Sequence, residues 1–599
     1  MSSLSWAQLS IRNNSYVFVN DQVLFVENDV NLEESTAKLY LRNESQLIQG
    51  SGVTGNSGLG ELSVYQEGTA NQWAYNYWCS PVGGTLTDNN SNNVLRFDNQ
   101  LDDPLLGTGN LIDSNNALFT TADEGTASPL VIANRWLYSY TIATSYSNWT
   151  ALDETSDLSA GLGFTMKGTG TGLTGSTAYD FRGKPNNGTI TNTVAADQWT
   201  LVGNPYPSAI DAAAFIHDTD NVAAIEDTIY YWEQDGSVQS HVLQSYIGGY
   251  ASYTINAAGD TETFTPAVFQ TYDELDNSFP LPIPQNGSKV AQRYIPIGQG
   301  FMVEGITGTS GTVSMKNAFR AYVKEGGTSY FFRDNDEFEI RPDSDITSEN
   351  TTDIAENSIQ YQQNGLSIVP DDYKRFRINI DFTVNTNQYT RQVVLNFHDS
   401  ATFGHDRGLE LFKGTEFNSD GYFTYNNKDY VGQAFPFDQA LVIPMTLDIE
   451  AQQPIRFRIF DIQNFDSDQG IYIHDTDNNT YANLRTQDYE INVAPGSYTD
   501  RFEIVFVAGE SLGIDETLAE SLIINQNNDL QQLAVINRNN LDVKTIEVFD
   551  IAGKSIIKSN YDTILDRYKL STNQLSDGAY VVNVVSNKGI TSQKILVKN

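Results

Sequence analysis

The chain has one cysteine, Cys79, among 599 residues. No intramolecular disulfide can form, so the fold must stand on packing alone. Cys79 lies in the aromatic run Tyr75-Asn76-Tyr77-Trp78-Cys79-Ser80-Pro81. That setting predicts a buried, inert thiol rather than a nucleophile. Long apolar runs are also missing: no stretch approaches the ~18 residues of a membrane-crossing helix. The N-terminus, Met1-Ser2-Ser3-Leu4-Ser5-Trp6, has neither a basic start nor an apolar stretch, so the leader of an exported chain is expected to have been removed. Basic residues are scarce, 35 against 75 acidic, for a formal net charge of −40. Such a surface repels nucleic acid and anionic lipid, which argues against nucleic acid as a partner. It keeps an exported protein soluble and offers oxygen ligands to calcium.

Helical periodicity is scarce as well. Short β-branched or aromatic runs recur instead, broken by Gly, Asn, Asp and Pro. This pattern predicts an all-β protein of several sandwich-like or jelly-roll-like domains in series. In residues 1–70, Tyr16-Val17-Phe18-Val19 and Val23-Leu24-Phe25-Val26 flank Asn20-Asp21, a hairpin-like signal. The even strand spacing suits a solenoid or a sandwich edge. Two related β units follow, at 71–200 and 201–340. The first opens at Trp73 to Pro81 and the second at Trp199 to Pro207. Each carries an aromatic strand, Trp136-Leu137-Tyr138-Ser139-Tyr140 or Tyr230-Tyr231-Trp232. Each ends in a glycine turn feeding a strand, Gly161-Leu162-Gly163-Phe164 or Gly298-Gln299-Gly300-Phe301.

Residues 341–363 read as an acidic linker. Residues 364–508 alternate strictly, as in Phe376-Arg377-Ile378-Asn379-Ile380-Asp381-Phe382, and predict a jelly-roll-like sandwich. The last unit, 512–599, holds nine basic and ten acidic residues, against 26 and 65 in the rest. A nearly neutral module on an acidic body suggests a separate job. Its alternation predicts a small immunoglobulin-like sandwich of seven strands.

This last unit resembles the type A C-terminal sorting domain of type IX secretion cargo from Bacteroidota. The resemblance rests on Phe549-Asp550-Ile551-Ala552-Gly553-Lys554, on Leu575-Ser576-Asp577-Gly578-Ala579-Tyr580, and on Gly589 with the closing Lys594-Ile595-Leu596-Val597-Lys598. Gly553 and Gly578 are expected where turns need positive φ or a tight reversal, and Leu575 to Val582 resembles the family's Leu-x-x-Gly-x-Tyr strand entry. The resemblance implies that residues 512–599 lead the chain through the outer membrane by binding a shuttle barrel protein and a translocon barrel. It also implies release or lipid anchoring at the cell surface after the tail is cleaved. Residues 39–49, 73–81, 203–207 and 298–301 are similar to parts of large flavobacterial surface proteins, and residues 375–508 to the jelly roll that precedes the tag in such cargoes. These are adhesin-like by association, a link that suggests attachment or gliding.

Motifs for chemistry are weak. Gly509-Glu510-Ser511-Leu512-Gly513 matches a hydrolase elbow but sits in a joint between β domains. Gly170-Thr171-Gly172-Leu173-Thr174-Gly175 matches a nucleotide loop but no helix follows. Asp475-Thr476-Asp477-Asn478-Asn479 has the oxygen spacing of a calcium loop without the full EF-hand pattern, so Asp475, Asp477 and Asn479 are the candidate metal ligands and calcium the candidate cofactor. Asp218-Thr219-Asp220 and Asp334-Asn335-Asp336 are weaker versions. His398, His405 and His474 share one segment but lack metal-ligand spacing. No catalytic constellation emerges. Tyr138, Tyr140, Trp149, Tyr230, Tyr231, Trp232, Tyr250 and Tyr253 could stack on sugars, although alternation sends about half of such residues into a core. The expectation is therefore a non-enzymatic secreted adhesin, against a carbohydrate-binding or polysaccharide-degrading protein. An acidic cleft with two shielded carboxylates would mark the enzyme, an aromatic strip the sugar binder, and broad polar sheets without a cleft the adhesin.

Overall fold

The computed structural model describes residues 8–50, 55–85, 91–170, 172–273, 278–281, 285–325, 359–384, 387–508, 522–528, 530–537, 540–551 and 553–598. Most of the 341–363 linker, the Gly509–Gly513 motif and Asp334–Asp336 lie outside them. The chain is all-β and forms two compact units, residues 1–506 and 507–599.

The first strands stack in parallel. They are β1 (Leu9–Ile11), β2 (Tyr16–Asn20), β3 (Val23–Val26), β4 (Val30–Leu32), β5 (Lys38–Arg42), β6 (Gln46–Gln49) and β7 (Glu61–Thr69). Leu9 pairs with Val30, Tyr16 with Lys38, Val23 with Gln46, and Lys38 with Glu61. Each strand thus lies on the strand one coil later, which is a short solenoid. The hairpin expected at Asn20-Asp21 does not form. Asp21 takes φ 60°, but it turns the chain at a solenoid corner, where the demand for positive φ is the same as in a hairpin.

Next come β8 (Tyr75–Cys79), β9 (Tyr138–Ser139), β10 (Thr150–Ala151), β11 (Gly163–Lys167) and β12 (Ser176–Pro185). They are followed by β13 (Ile190–Val194), β14 (Trp199–Gly203), β15 (Ile225–Gln234), β16 (Gly248–Ile255), β17 (Gln270–Tyr272), β18 (Gly300–Gly305) and β19 (Gly311–Met315). One sheet runs β8, β11, β9, β10, and the next runs β14, β18, β15, β16, β17. The first four positions match strand for strand in chain order. The flanking pairs match too, β7 with β12 and β13 with β19. Corresponding elements therefore begin at Glu61 and Ile190, one strand ahead of each Trp-led segment.

The two sheets meet reciprocally. Cys79 N–H donates to the Gly298 carbonyl at 2.8 Å, and Gly203 N–H donates to the Gly161 carbonyl at 3.2 Å. Gly161 and Gly298 both take positive φ, 84° and 68°. A Cβ on Gly300 would lie 2.8 Å from the Trp78 nitrogen, and one on Gly163 would lie 2.7 Å from Leu201 Cγ. Each glycine lets its strand approach the other unit's first strand. Cys79 is fully buried in this seam.

Residues 374–505 form one long curled sheet around a Phe-, Ile- and Leu-rich core. Its edge strands are Thr480–Asn483 and Tyr489–Val493. The loop 405–412 joins this sheet to the second β unit. Gly408 N–H donates to Asp227, and Phe412 N–H donates to Thr228 Oγ1 at 3.0 Å.

The tail is a seven-stranded sandwich. Leu522–Asn527, Gln532–Asn537 and Arg567–Ser571 make one sheet. Ser555–Asn560, Val543–Asp550, Gly578–Ser586 and Gly589–Val597 make the other. Alternate residues such as Ile546, Val548, Val582 and Val584 fill its core.

Candidate functional site

Strand alternation puts one set of side chains from both β units on a common face. Tyr75 and Tyr77 come from β8, Tyr138 from β9, Tyr140 from just beyond it, and Trp199 from β14. Trp232 comes from β15, Tyr250 from β16, Gln270 and Tyr272 from β17, and Met302 from β18. Trp149, Tyr246 and the Gly414–Glu416 turn complete a cavity of about 400 Å³. That volume is at the low end for small-molecule sites. A Cβ on Gly414 would lie 2.2 Å from the Tyr230 ring, so this turn can seat against the aromatic wall only as glycine.

The rings hold one another in place. Tyr140 and Trp149 lie 4.7 Å apart between centroids, Trp232 and Tyr250 5.2 Å, and Trp199 and Tyr250 5.5 Å. Trp199 stacks on Tyr230 behind the wall at 4.4 Å. The Tyr77 and Tyr250 hydroxyls bond at 2.7 Å, linking the two units. Burial pushes the phenols of Tyr75, Tyr77, Tyr246 and Tyr250 far up, so they remain neutral donors. Tyr272 is pushed up to about 12 by burial, moderated by the Gln270 amide beside it.

Two polar groups in this wall are poorly met. Gln270 is 1 % exposed, its amide lies beside the Tyr272 hydroxyl, and neither Oε1 nor Nε2 reaches full hydrogen-bond geometry. The Tyr272 hydroxyl donates instead to the Gly248 carbonyl at 3.3 Å. Trp232 Nε1 is buried without an acceptor. Unmet buried amide groups of this kind are uncommon and call for an explanation.

The cavity explains much of the aromatic set read from the sequence. Tyr138, Tyr140, Trp149, Trp232 and Tyr250 line it. Tyr230 backs it, while Tyr231 and Tyr253 point the other way into the core of the second unit. Sequence reasoning missed Tyr75, Tyr77, Trp199, Gln270 and Tyr272 as site residues. A signal was present: Tyr75-x-Tyr77, Tyr138-x-Tyr140 and Tyr230-x-Trp232 all repeat at a spacing of two.

The candidate calcium loop is built differently. Both Asp475 oxygens accept from Arg501 at 2.9 Å, and Oδ2 also accepts from Asn478 and from the Tyr489 hydroxyl. Tyr489 belongs to one edge strand of the curled sheet, and Asp475 lies next to the other. Asp475 thus clasps the sheet's two ends, and a guanidinium occupies the place assigned to the cation. Asp477 lies 3.4 Å from the same Arg501, and Asn479 turns the loop at φ 47°. Asp218 and Asp220 are paired with Lys316, each at 2.7 Å. The Gly170–Gly175 segment feeds the strand Ser176–Pro185.

The histidines do not converge. His398 stacks on Tyr373 and His474 on Tyr481, each at 4.0 Å. His405 lies 2.9 Å from Glu410 and 3.5 Å from Asp227. Those two carboxylates overcome burial and raise its pKa to about 10. Among the described residues, no group of three or more His, Cys, Asp or Glu could hold a metal ion.

In the tail, Asp550 caps the turn by accepting from Lys554 N–H at 2.9 Å, and Gly553 takes φ 78°. Leu575 is buried in the core, and the Tyr580 hydroxyl donates to the Ser576 carbonyl at 3.0 Å. Lys594 and Lys598 are exposed on the last strand and just past it. Gly578 opens a strand and pairs with Val597, the strand entry that the Leu575–Tyr580 pattern resembles; positive φ falls on Gly589, at 135°.

A family model described as "Domain of unknown function (DUF8693)" matches residues 121–506. Another, described as "Secretion system C-terminal sorting domain", matches residues 527–598. No curated protein matches the chain. Among solved structures, a polysaccharide lyase aligns at 10% identity over 38% of this chain and 40% of its own, with a TM-score of 0.12. The chain therefore spans less than half of that lyase. The BSP domain of a biofilm associated protein aligns at 10% identity over 77% of this chain and 87% of its own, with a TM-score of 0.11. Likenesses at these scores carry no argument about function.

Proposed function

Because this chain belongs to the family described as a domain of unknown function (DUF8693), and is a type IX secretion cargo with a type A sorting domain at its end, we propose that it is a non-enzymatic surface adhesin that captures carbohydrate in its aromatic pocket. The sorting tail directs the chain through the export machinery to the cell surface or the medium. The body then acts outside the cell. The single observation that carries the reading is the pocket itself, a cavity of about 400 Å³ walled by Tyr and Trp faces from two β units. Aromatic faces are the natural partner of the apolar C–H faces of sugar rings. Every lining residue except Tyr75 and Tyr77 falls within the 121–506 family match.

A binding role fits better than a hydrolytic one. Glycoside hydrolysis ordinarily uses two carboxylates flanking the bond. Among the described residues this lining has one, Glu416, with Lys413 at 3.1 Å. Glu304, raised to about 7 by burial, does not line the cavity.

The test is a glycan array probed with the full chain, alongside Trp149→Ala and Trp199→Ala variants. The expected result is a coherent set of bound glycans lost in both variants while their thermal transitions persist. An array on which the protein binds no glycan, or on which both variants bind like the parent, refutes the reading. In the native host, removal of residues 507–599 should leave the body inside the cell envelope, and its appearance outside would refute the export role of the tail.

A further inference from the structure

Resting on the carbohydrate reading, we infer that the pocket selects an uncharged sugar presenting a free vicinal diol, with Gln270 as the residue that reads the diol and Trp232 Nε1 as a second polar contact. Three observations carry this.

First, among the described residues the lining holds no Lys, Arg or His. The cation of the wall's own strands, Lys167, stands opposite the lining residue Tyr75 and is enclosed by rings, 4.5 Å from the Tyr75 centroid. Its ammonium lies 3.7 Å from the Trp136 ring centroid and donates to the Tyr246 hydroxyl at 2.7 Å. Lys413, beside the entry turn, is paired with Glu416 at 3.1 Å and Asp429 at 3.0 Å. A uronate or a sulfated sugar would meet no uncommitted counter-ion, since Arg391, which donates to the Thr415 carbonyl, is paired with Asp420, and the chain carries a net charge of −40. Bringing such a charge out of water without a partner is strongly unfavourable.

Second, the unmet groups have a definite valence. Gln270 offers an acceptor oxygen, Oε1, and an amide nitrogen with N–H donors, Nε2; only the Tyr272 hydroxyl lies beside them, and neither atom reaches full hydrogen-bond geometry within the protein. Two adjacent hydroxyls complement that pair, since one can donate to Oε1 while the other accepts from Nε2. Trp232 Nε1 needs one further acceptor, which a hydroxyl or ring oxygen supplies. A quaternary ammonium would also suit aromatic walls. It carries neither donor nor acceptor and would leave Gln270 and Trp232 unmet.

Third, the polar pair and the stacking faces are adjacent. Trp232 is 6.1 Å from Tyr272 between ring centroids, and Tyr272 shares the three-residue strand β17 with Gln270. A ring stacked on Trp232 is therefore within reach of the amide.

The experiment is calorimetric titration of the full chain with four probes: a panel of neutral oligosaccharides, oligogalacturonate, the best neutral binder with its diol blocked by O-methylation, and tetramethylammonium. The parent should bind the neutral sugar and not the other three. Gln270→Leu and the near-isosteric Gln270→Glu should each weaken that binding tenfold or more. Trp232→Phe, which keeps a stacking face but loses the N–H, should weaken it several-fold. Thermal transitions of all three variants should stay near the parent's, and the pair at Gln270 guards against one failing to fold. Oligogalacturonate bound as tightly as the neutral sugars, the methylated sugar bound undiminished, or Gln270 variants binding like the parent would each overturn the diol inference and leave the carbohydrate reading standing. If tetramethylammonium binds while no sugar does, or if nothing binds, both readings fall.

Discussion

The two β units share a strand order, a reciprocal seam and equivalent glycine turns, yet they carry different chemistry at equivalent positions. Cross-strand register aligns them residue by residue. Tyr77 faces Thr165 in the first unit as Leu201 faces Met302 in the second. One register step further, Tyr75 faces Lys167 and Trp199 faces Glu304. The same site in the scaffold thus holds a buried cation in one unit and a largely buried carboxylate in the other. Desolvation moves both toward neutrality, Lys167 down to about 7 and Glu304 up to about 7. Duplication kept the backbone, whose close approach tolerates little change, and let the side chains on one face diverge into a pocket.

The largest effect should come from breaking the seam. Gly300→Ala would drive a Cβ against Trp78 and Tyr77 backbone atoms, all within 2.9 Å, and backbone here cannot yield. We expect a loss of about 3 kcal/mol or more in denaturant unfolding of the 1–506 unit. The equivalent Gly163→Ala would meet the Leu201 side chain at 2.7 Å and one backbone atom, the Val202 oxygen, at 2.9 Å, against three backbone atoms at Gly300, so the loss should be somewhat smaller, about 1–3 kcal/mol. Equal losses would show that the seam is more symmetric than its contacts.

Next in size is a mirrored pair of pH profiles. Lys167 has a folded pKa below its usual 10.5, so stability should rise as pH climbs from about 7 to 10.5. Lys167→Met should stabilise by about 1–3 kcal/mol at pH 6, and this gain should vanish by high pH. Glu304 has a folded pKa above its usual 4.5, so stability should fall as pH climbs from 4.5 to about 7. Glu304→Gln should therefore stabilise above pH 7 and do nothing near pH 4. Thermal melts across pH will show crossing profiles if the two units diverged in charge in this way.

The second unit is also held by His405, which lies between Asp227 and Glu410. Its folded pKa, about 10, exceeds the usual 6.5, so its stabilisation is complete below 6.5 and is lost as pH rises toward 10. His405→Gln should cost about 2 kcal/mol at pH 6 and little above pH 10, read from the same melts. The smallest effect should be at the hydroxyl bridge between the units. Tyr77→Phe and Tyr250→Phe should each cost about 1 kcal/mol, and the double variant should cost less than the sum.

How much of this was legible varied with how local the cause was. In the tail, strand alternation and the Asp550–Lys554 turn depend on neighbours a few residues apart, and the seven-stranded sandwich results from them. Gly578 was legible only as a choice, because a glycine before a strand can serve a turn or a strand entry, and the strand entry is what formed. Asn20-Asp21 misled for a related reason, since solenoid corners and hairpins ask for the same backbone angles. The Asp475 loop has a cation's ligand spacing, but its partners Tyr489 and Arg501 arrive from strands 14 and 26 residues away. The aromatic spacing of two was visible throughout. What it could not reveal was which face looked into a cavity and which into a core.

The sequence by itself determined the β character, the repeated order of elements, the acidic body and the sorting tail, because each is written in local periodicity, turn chemistry or composition. Only tertiary structure decided that two equivalent sheets meet across their glycines, that Tyr and Trp rings from both converge on one cavity, and that the Gln270 amide is buried in its wall. Those facts depend on contacts between segments more than two hundred residues apart, as in the bond between Cys79 and Gly298, and no local pattern encodes which distant strand will arrive.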